Sequence, residues 1–355
     1  HVMHLWVRAE SRSFERRVGL TPEGATRLIE AGISVTVEQS DARAVPIDEY
    51  AKAGCQIAAP HSWPDAPKDT IIFGLKELPD DGSALPHRHI MFGHAYKGQD
   101  AGPKLLARFA NGGGELSDLE YLTDTGGRRV AAFGYWAGYT GAAMALLCWA
   151  AQQRGEIAAA VSAYDSAADL RAELEEQLTQ CSTKRPTALI IGALGRVGTG
   201  AADLCEALGI TPTKWDKDET AHGGPFPEIL THNLFMNCIL ASPQTPLFVG
   251  PDAVGAERTL SVISDIACDP DSPYNPIPIY SAATSWETPA TRISNEPVLD
   301  VTAIDNLPSM LPAESSEDFA AQLLPTLLQL KDDTNGTWGR ARDCFQNALR
   351  ENAIV

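Results

Sequence analysis

The segment Thr187–Ile210, TALIIGALGRVGTGAADLCEALGI, decides the fold. Its first residues form an apolar run short enough for a buried strand, and its last part has the spacing of an amphipathic helix. Between them lies Gly192-Ala193-Leu194-Gly195-Arg196-Val197-Gly198, a GxxGxxG turn. The next strand, Thr211–Asp216 (TPTKWD), ends in an acid 18 residues after Gly198. Each part has a physical use. Gly192, Gly195 and Gly198 let a pyrophosphate reach the helix N-terminus, where free N–H groups and the helix dipole favour an anion. A carboxylate at Asp216 accepts hydrogen bonds from ribose hydroxyls and repels a 2′-phosphate, which selects NAD. Two alternatives stand beside this: a tight turn whose glycines serve packing, and NADP bound with help from Lys217.

The same alternation continues on both sides. Downstream, Leu234–Leu240 (LFMNCIL) and Leu260–Ala267 (LSVISDIA) read as strands, and Asp269–Pro312 reads as proline-rich with long connections. Upstream, Leu5–Arg8, Ile33–Glu38, Cys55–Ala58, Ile71–Phe73, Ile90–Gly93 and Glu115–Leu122 read as strands. Helices are expected over 47–54, 102–110 and 167–180, and from Thr21-Pro22 to Gly32, where an N-cap threonine, a first-turn proline and a closing glycine mark the ends. Strand, helix and strand at this spacing imply parallel sheets with helices on their faces. Two final helices, 317–331 and 338–352, are expected to return to the first domain. The fold class is therefore α/β, with two Rossmann-like domains and the active site in the cleft between them. Residues 1–130 with about 313–355 form a catalytic, substrate-binding domain, and 131–312 form the NAD-binding domain.

Bulk properties narrow the function classes. The 355 residues suit two domains, and a net charge of −18 argues against nucleic acid or an anionic membrane surface. The seven cysteines are scattered, with no CxxC and no zinc-ligand spacing, so no metal is expected and a reducing cytoplasm is the simple reading. No signal peptide is expected, and His1-Val2-Met3 resembles a cloning remnant. Val130–Gln153 carries no charge and is long enough to span a bilayer. Its glycines and alanines favour a helix buried between the two domains instead.

The chemistry gathers at strand ends. IIFGLKELP (Ile71–Pro79) places Lys76 and Glu77 after an apolar run, where Gly74 leaves room for a ligand. FGHAYKGQ (Phe92–Gln99) places His94, Lys97 and Gln99 after the following strand. The carboxyl ends of parallel strands form the binding crevice of such sheets, so Lys76 and His94 are the catalytic candidates. A lone histidine there would otherwise be structural. Arg16-Arg17 before LTP and Arg128-Arg129 before the long helix are carboxylate forks in one reading and solvated surface pairs in the other. His61, His87, His89, His222 and His232 lack such placement and are read as surface residues.

Several stretches together resemble the NAD-dependent, lysine-forming saccharopine dehydrogenases known best from fungal lysine biosynthesis. They are LTP, IIFGLKELP, HAYKGQ, DLEYL, GRRVAAFG, IIGALGRVG, KWD, GGPFPEI, NPIPIY and LPSMLP, in one order along nearly the whole chain. A more distant likeness to alanine dehydrogenases rests on the arginine-to-LTP segment and the strand-end lysine. The resemblance implies oxidation of saccharopine by NAD and hydrolysis of the imine to lysine and 2-oxoglutarate. It implies Lys76 as the base for the secondary amine and His94 as the acid–base for hydrolysis. Arg17, Gln99, Arg129 and Phe133 would contact substrate, with Lys97, Glu120, Ala267, Cys268 and Asp269 close by. On the cofactor side it implies Arg128, Gly195, Arg196, Asp216, Thr220, Leu240, Ile266, Ile304, Asp305, Asn306 and Leu307.

The residues themselves add a physical argument. Saccharopine carries three carboxylates, so Arg17, Lys76, Lys97 and Arg129 would supply a local basic cluster, which Glu77 and Glu120 would oppose. Departures from the fungal pattern are Val197 for a cysteine, Leu240 for an aromatic residue and Asn306 for a histidine. They leave as alternatives a reductive aminase acting on another amine and oxo-acid pair, or a non-catalytic NAD-binding sensor. A monomer is expected.

Overall fold

The computed structural model describes residues 2–181 and 184–354, so His1 of the proposed remnant lies outside it. Its contacts divide the chain into two compact units, 1–132 with 315–355, and 133–314.

The first unit opens with β1 (Met3–Val7), α1 (Pro22–Glu30), β2 (Ile33–Glu38), α2 (Ile47–Lys52) and β3 (Gln56–Ala58). It continues with β4 (Ile71–Phe73), β5 (Arg88–Met91), α3 (Gly102–Gly112) and β6 (Glu115–Asp118). The strands are parallel in the order β3-β2-β1-β4-β5-β6, so the sheet's direction of growth reverses between β1 and β4. That reversal is where such sheets bind ligands. Helix α1 starts as expected: Thr21 Oγ1 accepts from Gly24 N at 3.1 Å, Pro22 fills the first turn, and Gly32 after the helix takes φ +88°.

Two expectations change here. The strand expected to reach Leu122 stops at Asp118, because the Asp118 side chain accepts from Glu120 N at 2.9 Å and turns Leu119–Tyr121 into a 3₁₀ turn. His87 and His89, read as surface residues, are 1% and 0% exposed. Their strand is internal to the sheet and covered on both faces. The His89 ring meets the edges of Trp63 and Phe109 at 5.1 and 5.5 Å, and burial pushes its pKa well below the usual value, so it is a neutral core ring.

The second unit holds α4 (Gly134–Gln153), α5 (Ala167–Gln180), β7 (Ala188–Ile191), α6 (Arg196–Ala207), β8 (Thr213–Trp215) and α7 (Lys217–Thr220). Then come α8 (Pro227–Leu230), β9 (Leu234–Asn237), α9 (Pro251–Val254), β10 (Val262–Asp265), β11 (Thr291–Asn295) and β12 (Val298–Thr302). The order is β11-β12-β10-β9-β7-β8, parallel except for β11, with its reversal between β7 and β9. The β11–β12 hairpin stands where only long connections were expected. Its apolar residues Leu299 and Val301 are fully buried, and the prolines around it obscured this short alternation.

The uncharged segment forms α4, and it is a core element of the second unit, packed along α6 and the sheet. The alignment of α4 with α6 depends on two glycines. A Cβ on Gly138 would stand 1.8 Å from the Val197 carbonyl oxygen, and one on Gly200 would stand 1.9 Å from that of Tyr135. Among the described residues no helix is long and apolar enough to cross a membrane.

The last helices, α10 (Pro312–Leu327) and α11 (Thr337–Glu351), carry the chain back to the first unit, where α11 packs on β6 and α3.

Candidate active site

In the first unit the site residues come from the carboxyl ends of β1, β4, β5 and β6, which lie along one edge because the strands are parallel. Phe92, directly after β5, is the centre of the arrangement. The Lys76 Nζ lies 6.0 Å from its ring centroid, and the Arg129 guanidinium carbon lies 5.5 Å from it. The His94 ring is nearly parallel to it, at 6.2 Å and 16°. Two cations and an imidazole thus share one aromatic platform. Phe92 falls inside the strand expected over Ile90–Gly93, since an apolar residue within an apolar run gives no local sign of a site. His94 is exposed with φ +50°, an uncommon backbone state for a residue with a side chain, and such states concentrate at functional sites.

The carboxylates along this edge are paired. Arg12 grips Glu77 through two bonds of 2.6 and 2.8 Å, and Lys97 bonds Glu120. Burial works against ionisation of Glu77, but the Arg12 fork outweighs it and holds the carboxyl below its usual range. The bond to Glu120 in turn raises Lys97. Gln99 Oε1 accepts from Lys97 N at 2.8 Å and shapes the loop that carries both residues.

Arg17 departs from the surface reading. It is 4% exposed, and Glu15 binds it at 2.7 and 3.1 Å through both carboxylate oxygens. Burial disfavours the Glu15 charge, yet Arg17, with a smaller contribution from Lys76, keeps it ionised. Arg128 and Arg129 are exposed, on a turn in which Asp124 accepts from Gly126 N and Arg128 N at 2.9 Å each.

Gly74 serves a different purpose from the one expected. A Cβ there would stand 2.3 Å from Cζ of Arg8, so the glycine makes room for a buried guanidinium and not for a ligand. Two acids that the sequence left unremarked also organise this edge. Glu38, fully buried at the end of β2, accepts from Trp6 Nε1, Ala9 N and His61 N at 2.8 Å each and from Trp63 N at 2.9 Å. Asp118 accepts from Gly93 N at 3.1 Å and ties the histidine segment to β6. Burial raises Asp118 to about 6 despite these bonds.

The second unit presents its own carboxyl edge, and its residues fit a dinucleotide. Gly192 has φ +86°, and a Cβ on Gly198 would stand 2.1 Å from the Gly192 carbonyl oxygen, so both glycines are required by the turn itself. Gly195 differs. Its backbone is extended, and a Cβ would meet nothing closer than 3.6 Å, so neither packing nor conformation requires a glycine there. It caps α6 with no side chain over the helix's free N–H groups, leaving a cradle that a Cβ would begin to fill.

Arg196 opens α6, and Asp216 directly follows β8, its Oδ1 accepting from Lys217 N at 2.9 Å. Thr220 closes the short helix that Asp216 caps. Leu194 and Leu240, 77% and 75% exposed, give the same edge apolar surface.

Three residues missed from sequence set the β9 and β10 ends. Asp265, at 2% exposure, accepts from Asn237 Nδ2 at 3.0 Å and from the Tyr280 hydroxyl. The signal for Asn237 and Asp265 was a polar residue closing each apolar strand. Beyond it, Ala267 N bonds the Asn237 carbonyl at 3.2 Å, Cys268 takes φ +48°, and Asp269 is exposed. Ile266, Ile304 and Leu307 turn their side chains into the core, whereas Asp305 is exposed and Asn306 half-buried. Phe133 caps α4 and so belongs to this unit.

Comparison with known proteins gives the family of the chain. The alanine dehydrogenase/PNT N-terminal domain model matches residues 6–140. The saccharopine dehydrogenase [NAD(+), L-lysine-forming] of Emericella nidulans is 45% identical, covering 97% of each chain. That of Yarrowia lipolytica is 43% identical over 96% of each. The chain belongs to the NAD-dependent, L-lysine-forming saccharopine dehydrogenase family. Among solved structures, an L-alanine dehydrogenase superposes with a TM-score of 0.66 at 17% identity, covering 99% of this chain and 100% of that one. A transhydrogenase from Sinorhizobium meliloti gives 0.62 at 18%, covering 92% and 94%. These two likenesses establish the two-sheet α/β fold, while membership of the saccharopine dehydrogenase family rests on the full-length relatives.

Proposed function

We propose that the protein is an NAD-dependent saccharopine dehydrogenase that oxidises saccharopine, with water, to L-lysine and 2-oxoglutarate, reversibly. The observation that carries this reading is the grouping of Lys76, His94 and Arg129 about the Phe92 ring. NAD, when bound, would supply the hydride acceptor, and Gly192, Gly195, Gly198, Arg196, Asp216, Thr220 and the loops at Leu240, Ile266 and Ile304–Leu307 would hold it.

Lys76 removes the proton from the substrate's secondary amine, and the aromatic face beside it limits its hydration. His94, exposed to solvent, activates water for cleavage of the resulting carbon–nitrogen double bond and returns a proton to the departing amine. Arg129 meets a substrate carboxylate with an exposed fork. Arg17, held in a fixed orientation by Glu15, is a further substrate residue. In the first unit Lys97, Gln99 and Glu120 are further substrate residues and Arg128 a cofactor residue; in the second, Phe133, Ala267, Cys268 and Asp269 are further substrate residues. The seven cysteines are free thiols, which suits a reducing cytoplasm, and we expect a monomer.

The test is NADH oxidation with lysine plus 2-oxoglutarate against a panel of other amines and oxo acids. The lysine pair is expected to be preferred. Preference for another pair supports the related reductive aminase, and NADH binding without turnover on any pair supports a sensor. Lys76→Met is expected to lower turnover at least ~100-fold with NADH affinity retained, as for loss of a general base. His94→Gln should slow the steps after hydride transfer, and full steady-state turnover at every pH would contradict its role.

A further inference from the structure

The buried pair Arg8–Glu10 has no place in the chemistry above, yet it holds the backbone of the proposed base. Phe73 ends β4, and the chain leaves the sheet with three residues whose polar groups need partners. Gly74 N donates to the Ile90 carbonyl at 3.0 Å. Glu10 accepts from Leu75 N at 3.0 Å through Oε2 and from Lys76 N at 2.7 Å through Oε1. The Lys76 carbonyl accepts from Arg8 Nη2, and Arg8 Nη1 lies 3.3 Å from Glu10 Oε1. Arg8 itself continues β1, its N–H donating to the Phe73 carbonyl at 2.9 Å. The amide and the carbonyl of Lys76 are thus both held by one ion pair rooted on β1, across the strand reversal.

Stability is a poor reason to keep this pair. The Arg8 and Glu10 side chains are 1% and 8% exposed, and Arg8 Nε has no hydrogen-bond partner among the described residues. A buried ion pair seldom outperforms well-packed apolar groups, and an unpartnered buried donor adds a cost. The fold also gives up a side chain at position 74 to admit the guanidinium, which would stand 2.3 Å from a Cβ there. What the pair supplies is direction. A carboxylate can accept two adjacent N–H groups at once and a guanidinium can fork between a carbonyl and that carboxylate, so the Lys76 Cα is fixed from both sides.

We propose that Glu10 and Arg8 are positioning residues that set where the Lys76 side chain enters the site. This rests on the reading of Lys76 as the base, and the test separates the two. Glu10→Gln keeps the size but replaces one acceptor oxygen with a donor facing an N–H. The expected result is a ~10- to 100-fold loss in kcat, typical of an ångström-scale misplacement. The Kd for NADH should stay near wild type, whereas the thermal midpoint should fall, because the buried Arg8 guanidinium loses its counter-charge.

A double-mutant cycle identifies the cause. In a Lys76→Met background, Glu10→Gln should lower single-turnover hydride transfer by less than ~2-fold, because there is no base left to misplace. Equal losses in both backgrounds, or wild-type kcat in Glu10→Gln, would overturn the inference. Should Glu10→Gln not fold, Glu10→Asp and Arg8→Lys are read by the same two criteria. Lys76→Met with wild-type turnover would instead remove the reading of the base, and the inference with it.

Discussion

The guanidinium of Arg129 lies 5.5 Å from the centroid of Phe92, the same ring that Lys76 Nζ approaches to 6.0 Å. Two like charges beside one aromatic face repel each other, and the negative face of the ring offsets part of that repulsion by about 0.5–2 kcal/mol per contact. Phe92→Leu keeps apolar volume and removes the face. It should cost less than ~1.5 kcal/mol of stability, yet lower kcat/KM about 10-fold. Steady-state kinetics beside thermal unfolding decide it, and an unchanged kcat/KM would refute the platform.

The crossing of α4 and α6 is equally specific. Gly138 has no room for a methyl group, since the atoms it would meet are the Val197 carbonyl and the Ala201 amide. Neither helix backbone can yield locally, so Gly138→Ala should tilt α6 and weaken NADH binding at its N-terminus by ~10-fold or more, with a lower thermal midpoint. Gly134→Ala, whose Cβ would meet the flexible Val197 side chain at 3.3 Å, should be mild. Equal NADH affinity in wild type and Gly138→Ala, by fluorescence titration, would count against this account.

Asp118 gives a pH signature. Burial raises its folded pKa to about 6, above the unfolded value of 3.8, so the native state binds the proton more tightly. Ionising it costs stability above pH 6, and the cost is relieved as pH falls toward 4. Relative to Asp118→Asn, the wild type should gain about 1 kcal/mol between pH 7 and pH 5. Urea unfolding at the two pH values measures this, and a pH-independent difference would exclude it.

Cofactor choice should turn on Asp216. It directly follows β8, and a 2′-phosphate beside its carboxylate would meet like charge. NADPH should therefore be used at least ~100-fold less efficiently than NADH, and Asp216→Ala should narrow that gap ~10-fold or more, helped by Lys217. Comparable kcat/KM values for both cofactors in the wild type would show that the acid does not select.

The amino-acid sequence by itself determined what is local. Strand-to-helix period changes placed most elements within a few residues, and the spacing from Gly192 to Gly198 to Asp216 announced a dinucleotide turn. The polar residues that follow apolar strands pointed to Lys76 and His94. Each of these rests on neighbours along the chain, where periodicity and glycine chemistry act directly.

Tertiary structure decided what depends on residues distant in sequence. Phe92 matters because β4, β5 and the Arg129 turn meet at it, and Gly74 serves Arg8 because β1 lies beside β4. Glu38, Asp118, His87 and His89 look like ordinary polar residues until both faces of their strands are covered. Burial then forces the carboxylates to collect backbone N–H groups and keeps the His89 ring neutral. A charge's partner, and the worth of that partnership, are set by which strands lie side by side. No single stretch of sequence contains that information.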